Sequence, residues 1–129
     1  MLGAHSAFFE LLNRGKRSLQ LDLKHPQGVA ALRRLARHAD VVLEDFRPGV
    51  AQRLGVGWEA LRAENPRLVY CAISGYGQAG PLRDRAGHDI NYLALSGVLD
   101  QIGAAGAEPA LPNLQVGDCL GGADLVQHA

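Results

Sequence analysis

The sequence lacks most of the features that would assign it to a function class at once. Its two cysteines, Cys71 and Cys119, are too few for a disulfide framework and fit a reducing compartment. It has no net charge, because 13 Lys and Arg balance 13 Asp and Glu. Without a basic field, nucleic acid is a poor candidate partner. No apolar run approaches the roughly 20 residues of a membrane span. Met1 to Glu10 hold no basic stretch followed by an apolar one, so no signal peptide is expected. The last residues, Val126-Gln127-His128-Ala129, are not a peroxisomal address, which leaves a cytoplasmic location as the default expectation. There is no Walker loop and no G-x-G-x-x-G after a strand. Gly75-Tyr76-Gly77 does not open such a fingerprint, because Gly80-Pro81 follows where a helix would have to start. The 5 histidines show no metal-ligand spacing, so no metal site is expected. Ser74 and Ser96 lack the G-x-S-x-G elbow of serine hydrolases.

What is present is a globular composition. The 129 residues are 47% apolar and 20% charged, enough for one domain with its own core and too ordered in character for intrinsic disorder. Glycine is the excess residue, with 16 copies, 10 of them in the second half.

Patterning along the chain alternates between strand and helix periods. Ser18 to Leu23 alternates polar and apolar residues, which predicts a half-buried strand. Pro26 suits a first helical turn, and Val29, Leu32, Leu35 and Ala36 recur at helical spacing over Gln27 to His38, with Gly28 a mild weakness. Asp40 to Glu44 reads as a buried strand. Phe46-Arg47-Pro48-Gly49 is turn chemistry, followed by short helices over Ala51 to Leu54, capped by Gly55, and over Trp58 to Glu64, stopped by Asn65-Pro66. Arg67 to Ser74 is the best strand. A helix is expected from Asp89 to Ile102. Beyond it, 103–129 is a glycine-rich irregular end with an extended piece at Asn113 to Val116. Strand–helix–strand order with long crossovers implies a parallel sheet with flanking helices in an α/β fold, with ligands beyond the carboxyl ends of the strands.

Several polar groups sit in glycine-rich surroundings, and each has a structural reading beside a functional one. Asp89 is a candidate helix N-cap. His88 is a candidate surface histidine at a helix start. Asp118 is a candidate cap for a turn or helix beginning at Cys119. Arg47 sits in a turn after a strand, a common position for contacting anions, but surface arginines are also common there. Read alone, these residues indicate an α/β domain that binds a small anionic ligand.

Taken together and in order, the motifs resemble the family III CoA-transferases and, within them, the α-methylacyl-CoA racemases. The matching stretches are Leu12 to Ser18, Leu21-Asp22-Leu23-Lys24, Ala39 to Val50, Arg53-Leu54-Gly55, Asn65 to Tyr70, Ser74 to Gln78 with Gly80-Pro81, Gly87 to Gly97, and Gly117-Asp118 with Gly121-Gly122. The racemase branch is suggested by Gly87-His88-Asp89-Ile90-Asn91-Tyr92. The resemblance implies a Rossmann-like large domain, here incomplete, that epimerises 2-methylacyl-CoA thioesters through an enolate. It implies His88 and Asp118 as the acid–base pair, with Asp89 the alternative nucleophile if the chain instead moves CoA between carboxylates. It implies CoA contacts from Leu21, Asp22, Leu23, Lys24, Asp45, Phe46, Arg47, Arg53, Gly87, His88, Asp89, Ile90, Asn91 and Tyr92. Arg53 also reads as a solvated helix-face charge. No metal is implied, and no cofactor beyond the CoA moiety of the substrate.

The family's chains are much longer. The resemblance therefore implies that residues 1–129 are part of a CoA-binding, catalytic domain. A further α/β unit, a second domain and a glutamate partner for the histidine would lie outside them. The family's interlocked homodimer is a topology that a piece of this length would not build. A CoA-binding piece without catalysis is the remaining expectation.

Overall fold

A computed structural model describes residues 6–120. Helix α1 spans Ala7–Leu12, α2 Pro26–Ala36, α3 Val50–Arg53, α4 Trp58–Glu64 and α5 Asp89–Ser96, with a 3-10 turn at Val98–Gln101. The strands are β1, Val41–Glu44, and β2, Val69–Ala72. They pair in parallel with Val41 opposite Val69 and Glu44 opposite Ala72. The crossover between them carries α3 and α4, as a parallel pair requires.

Helix α2 begins as its sequence indicates. Pro26 occupies its first turn, and the His25 ring accepts a hydrogen bond from the Gln27 N–H at 3.3 Å. Its end is closed by Asn65, whose side-chain amide donates to the carbonyls of Ala36 at 3.1 Å and Ala39 at 2.9 Å. The Ala36 carbonyl also accepts from the Ala39 N–H at 3.3 Å, so Asn65 adds a second donor at this helix end. Gly28 has a use beyond its cost in helix propensity, because a β-carbon there would run into the main-chain carbonyl of Asp22. The segment before α2 thus lies directly on the helix backbone.

The core is formed by Ala36, Ala51, Val56, Leu61 and Leu68, with Leu32, Val42, Leu54 and Tyr70 among the residues packed on it. Leu61 is fully enclosed, a burial that stabilises by about 1.5–3 kcal/mol. Around this core, Trp58 tilts against Tyr70 with ring centroids 6.1 Å apart, and the Arg62 guanidinium lies 5.3 Å above the Trp58 ring.

The parallel sheet and flanking helices agree with the sequence reading. Five local expectations need correction. Residues 18–23 form no strand, since an alternating segment becomes one only when a neighbour pairs with it, and none does among the described residues. β1 is not buried on both faces. Val42 faces the core, while Val41 and Leu43 stay exposed because the helices cover one face only. The helix from Asp89 stops at Ser96, because Gly97 takes φ 79° and turns the chain out of the helix. His88, not Asp89, is the N-cap of α5, so Asp89 stands inside its first turn. Residues 113–116 are not extended, and helical structure starts at 116, placing Asp118 within it rather than at its cap. Helix α1 was not signalled by periodicity. All its residues are exposed, and it depends on Ser6, whose hydroxyl accepts from the Phe9 N–H at 3.1 Å. Gly121 and Gly122 lie outside the described residues.

Candidate active site

The carboxyl ends of β1 and β2 open into two loops, and a cleft forms between them. Glu44, the last residue of β1, fixes the first loop with both carboxylate oxygens. Oε2 accepts from the Phe46 N–H at 2.8 Å, and Oε1 from the Tyr70 hydroxyl at 3.2 Å. Burial, then the Glu44 charge, the hydrogen bond to Glu44 and the Glu59 charge, push the Tyr70 phenol up to about 12. Phe46-Arg47-Pro48-Gly49 then turns into α3, which ends in Arg53.

The second loop follows β2 and is shaped by two tyrosines. Tyr76 and Tyr92 meet edge to face with centroids 5.4 Å apart. Gly75 and Gly87 make room for them. A β-carbon on Gly75 would strike the Tyr92 ring, and one on Gly87 would lie 2.7 Å from the Tyr76 hydroxyl. The Tyr92 phenol is raised above its ordinary range, first by burial, then by Tyr76 and by the Asp118 carboxylate. Asp118 is therefore electrically close to the Tyr92 hydroxyl.

The cleft has a volume of about 530 Å³. The sequence-derived residues Asp45, Phe46, Arg47, Arg53, Gly87, His88 and Tyr92 all line it. So do Tyr76, Arg83 and Arg85, which motif reasoning missed. Their signal was local: Leu82-Arg83-Asp84-Arg85 is a dense charge cluster in a loop just past a strand's carboxyl end. A β-carbon at Gly49 would stand 3.3 Å from Arg53 Nη1 and 3.5 Å from Arg83 Nη2, so the two guanidinium groups converge over that glycine. The arginines at positions 47, 53, 83 and 85 form no ion pair among the described residues. Planar donor forks without carboxylate partners suit phosphate-like anions.

Lys24 and Leu23 line a second groove of about 620 Å³ with Arg33, Arg34 and Arg37, and Arg53 borders both spaces. Within this groove Arg33 is already committed, donating to the Gly55 carbonyl at 2.7 and 3.0 Å. Arg37 is paired with Glu64 at 2.7 Å. Leu21, Asp22, Asp89, Ile90, Asn91 and Asp118 line neither space, and Asp22 instead accepts from the Lys24 N–H at 2.9 Å.

His88 is exposed at the start of α5. Asn91 reaches back one turn, its Oδ1 accepting from the His88 N–H at 2.9 Å, the returning half of a capping box. The next two N–H groups, of Asp89 and Ile90, lie beyond the reach of acceptors in their own helix. Asp118 is brought to the same place from 29 residues away, its N–H donating to Asp89 Oδ1 at 3.0 Å. Cys71 is half-buried and Cys119 exposed, and both are free thiols. No group of His, Cys, Asp and Glu among the described residues could hold a metal ion, and no described helix is long and apolar enough to cross a membrane.

Comparison with known proteins gives the family and the fold. The model of CoA-transferase family III matches residues 2–128. The chain is 57% identical to the human alpha-methylacyl-CoA racemase over 111 residues, which is 86% of this chain and 29% of that protein. It is 42% identical to a succinate–glutarate CoA-transferase of Agrobacterium fabrum over 117 residues, 91% of this chain and 29% of that protein. The fold resembles that of the hypothetical protein Rv3272 of Mycobacterium tuberculosis, with TM-score 0.78 and 38% identity, covering 88% of this chain and 32% of that one. It also resembles a CAIB/BAIF family protein of Brucella suis, with TM-score 0.75 and 34% identity, covering 88% and 32%. The chain thus spans less than a third of the length of these relatives.

Proposed function

Because this chain belongs to CoA-transferase family III, we propose that it carries the CoA-binding and acid–base part of a racemase for 2-methylacyl-CoA thioesters. The observation that carries this reading is the position of His88 on the wall of the arginine-lined cleft, with Asp118 bonded to the adjacent residue. Higher identity to a racemase than to a transferase favours the same branch.

The chemistry needs these residue types. The thioester carbonyl can hold negative charge as an enolate, which makes the α-proton removable. Inversion then needs one group on each face of the α-carbon. In one direction the neutral imidazole of His88 takes the α-proton as the C–H bond breaks and the electron pair moves onto the carbonyl oxygen. The Asp118 carboxyl group delivers its own proton to the opposite face as the enolate collapses. In the other direction the two exchange roles. An imidazole is suited to this work near neutral pH. The Asp89 and Ile90 N–H groups offer donors for the enolate oxygen. Arg47, Arg53 and Lys24 meet the phosphates of CoA, and the Gly87 to Tyr92 stretch meets the thioester end. The substrate's CoA moiety is the only cofactor this reaction needs.

The test is incubation with a 2-methylacyl-CoA in D₂O, followed by proton NMR of the α-position. Deuterium should enter there, and His88→Ala should slow its entry by about 10²–10⁴-fold. A folded wild-type chain that exchanges nothing would overturn catalysis by this chain, and calorimetric binding of CoA would then mark it as a CoA-binding piece. The relative that is a CoA-transferase supports a second reading, transfer through an aspartyl-CoA thioester on Asp89. Trapping that thioester with an acyl-CoA donor would decide for it.

A further inference from the structure

The side chain of Asp89 has work to do that does not involve substrate. Its Oδ1 accepts the Asp118 N–H at 3.0 Å across 29 residues of chain. The approach is close because Gly117 has no side chain: a β-carbon there would stand 3.1 Å from Asp89 Oδ1 and 3.7 Å from Leu93 Cδ2. Leu93 is the buried residue of α5, so the segment that bears Asp118 rests on the helix through this glycine. Residues 103–115, which lead into that segment, carry no helix or strand that would hold it otherwise. Asp89 itself is fixed in the first turn of α5, where a carboxylate also interacts favourably with the helix dipole.

We propose that Asp89 is a positioning residue whose carboxylate ties the Asp118 backbone to the start of α5, holding Asp118 in register with His88. This rests on the acid–base reading above and deepens it. It gives Asp89 a different task from that of a nucleophile, since one of its oxygens is committed to a main-chain donor. A misplacement of about 1 Å costs on the order of 10²-fold in a reaction that depends on oriented groups. A hydrogen bond that sets the position of one of the two groups is therefore worth a measurable rate.

Two measurements on the 129-residue chain test this. The first is amide hydrogen–deuterium exchange at Asp118, read by NMR, which is independent of activity. The amide should be protected in the wild type, lose protection in Asp89→Ala, and regain it in Asp89→Asn, whose side-chain oxygen still accepts. Gly117→Ala should also reduce protection by crowding that oxygen. Equal exchange in the wild type and Asp89→Ala would overturn the tether, whether or not the chain racemises anything. The second is the kinetic split. Asp89→Ala should lower kcat about 10–100-fold with little change in KM, and Asp89→Asn should recover most of that loss. An Asn variant with a protected amide but no turnover, like Ala, would overturn positioning in favour of the nucleophile. Absence of α-exchange in the wild type removes the racemase reading but leaves the amide result to decide the tether.

Discussion

Residues 26–72 and residues 73–120 are built on different principles. In the first stretch, α2, α3, α4 and the two strands, with the loops between them, bury Ala36, Ala51, Val56, Leu61 and Leu68 against each other. In the second, Leu93 is the buried apolar residue, and order rests on single contacts: the Tyr76–Tyr92 pair, the Asn91 cap and the Asp89–Asp118 bond. The first is a packed scaffold, and the second carries the proposed acid–base pair, His88 and Asp118. The cleft lies where they meet, with Arg53 from one and Arg83 from the other converging over Gly49. A region held by a few polar contacts can place side chains that a packed core would exclude, at the cost of depending on each contact.

Mutation can sharpen or break that contrast. The largest effect is expected from Asp118→Asn, which should slow α-deuteration about 10²–10⁴-fold while leaving the denaturant midpoint within error, since Asp118 is exposed. A large loss of stability would show that the second region is more than a carrier of chemistry. Next is Leu61→Ala, expected to cost about 2–5 kcal/mol in chemical unfolding. Leu93→Ala should cost less and mainly raise amide exchange over 89–120. Equal costs would mean the two stretches unfold as one unit.

The third test uses pH. The Tyr70 phenol is raised from 10.0 to about 12, so its neutral form is favoured by the fold. The stability this contributes is complete below pH 10 and is lost as pH rises through about 12. Ultraviolet titration should therefore find a tyrosine ionising near pH 12, absent in Tyr70→Phe, and the variant should unfold less steeply with rising pH over that window. The smallest effect is expected from Arg37→Ala, because the Arg37–Glu64 pair is solvent-exposed, and such pairs contribute about 0–1 kcal/mol. A larger loss would mean that the Arg37 stem packs against the second groove.

What could be read from the sequence divides along the same line. α2, α4, β1 and β2 were legible because their signals are local: Pro26 at a first turn, apolar residues at period 3.6, Asn65-Pro66 as a stop, and the β-branched and aromatic residues Val69, Tyr70 and Ile73. Seven of the sixteen residues lining the cleft were legible through motif resemblance. Several misreadings concern partners distant in sequence. Whether 18–23 is a strand depends on a neighbour it must pair with. Whether Asp89 caps a helix or holds Asp118 depends on a residue 29 positions away. Arg83 and Arg85 entered the cleft list only once the fold had brought their loop against Gly49. Gly97 was visible as a glycine, but its left-handed turn was outweighed by the apolar spacing that continues to Leu99.

The uncovered face of the β1–β2 sheet has a consequence for handling the molecule. Val41, Leu43 and Val69 leave side chains in water there, 53% of Leu43 among them. Each Å² of such surface carries an unfavourable free energy of roughly 25 cal/mol. The patch therefore contributes to the chain's colloidal behaviour. It will take up apolar fluorescent dyes in the native state, which would otherwise be mistaken for a sign of partial unfolding. It will also bring the salting-out threshold in sulfate to lower concentrations, since excluded salts favour any contact that removes this surface from water.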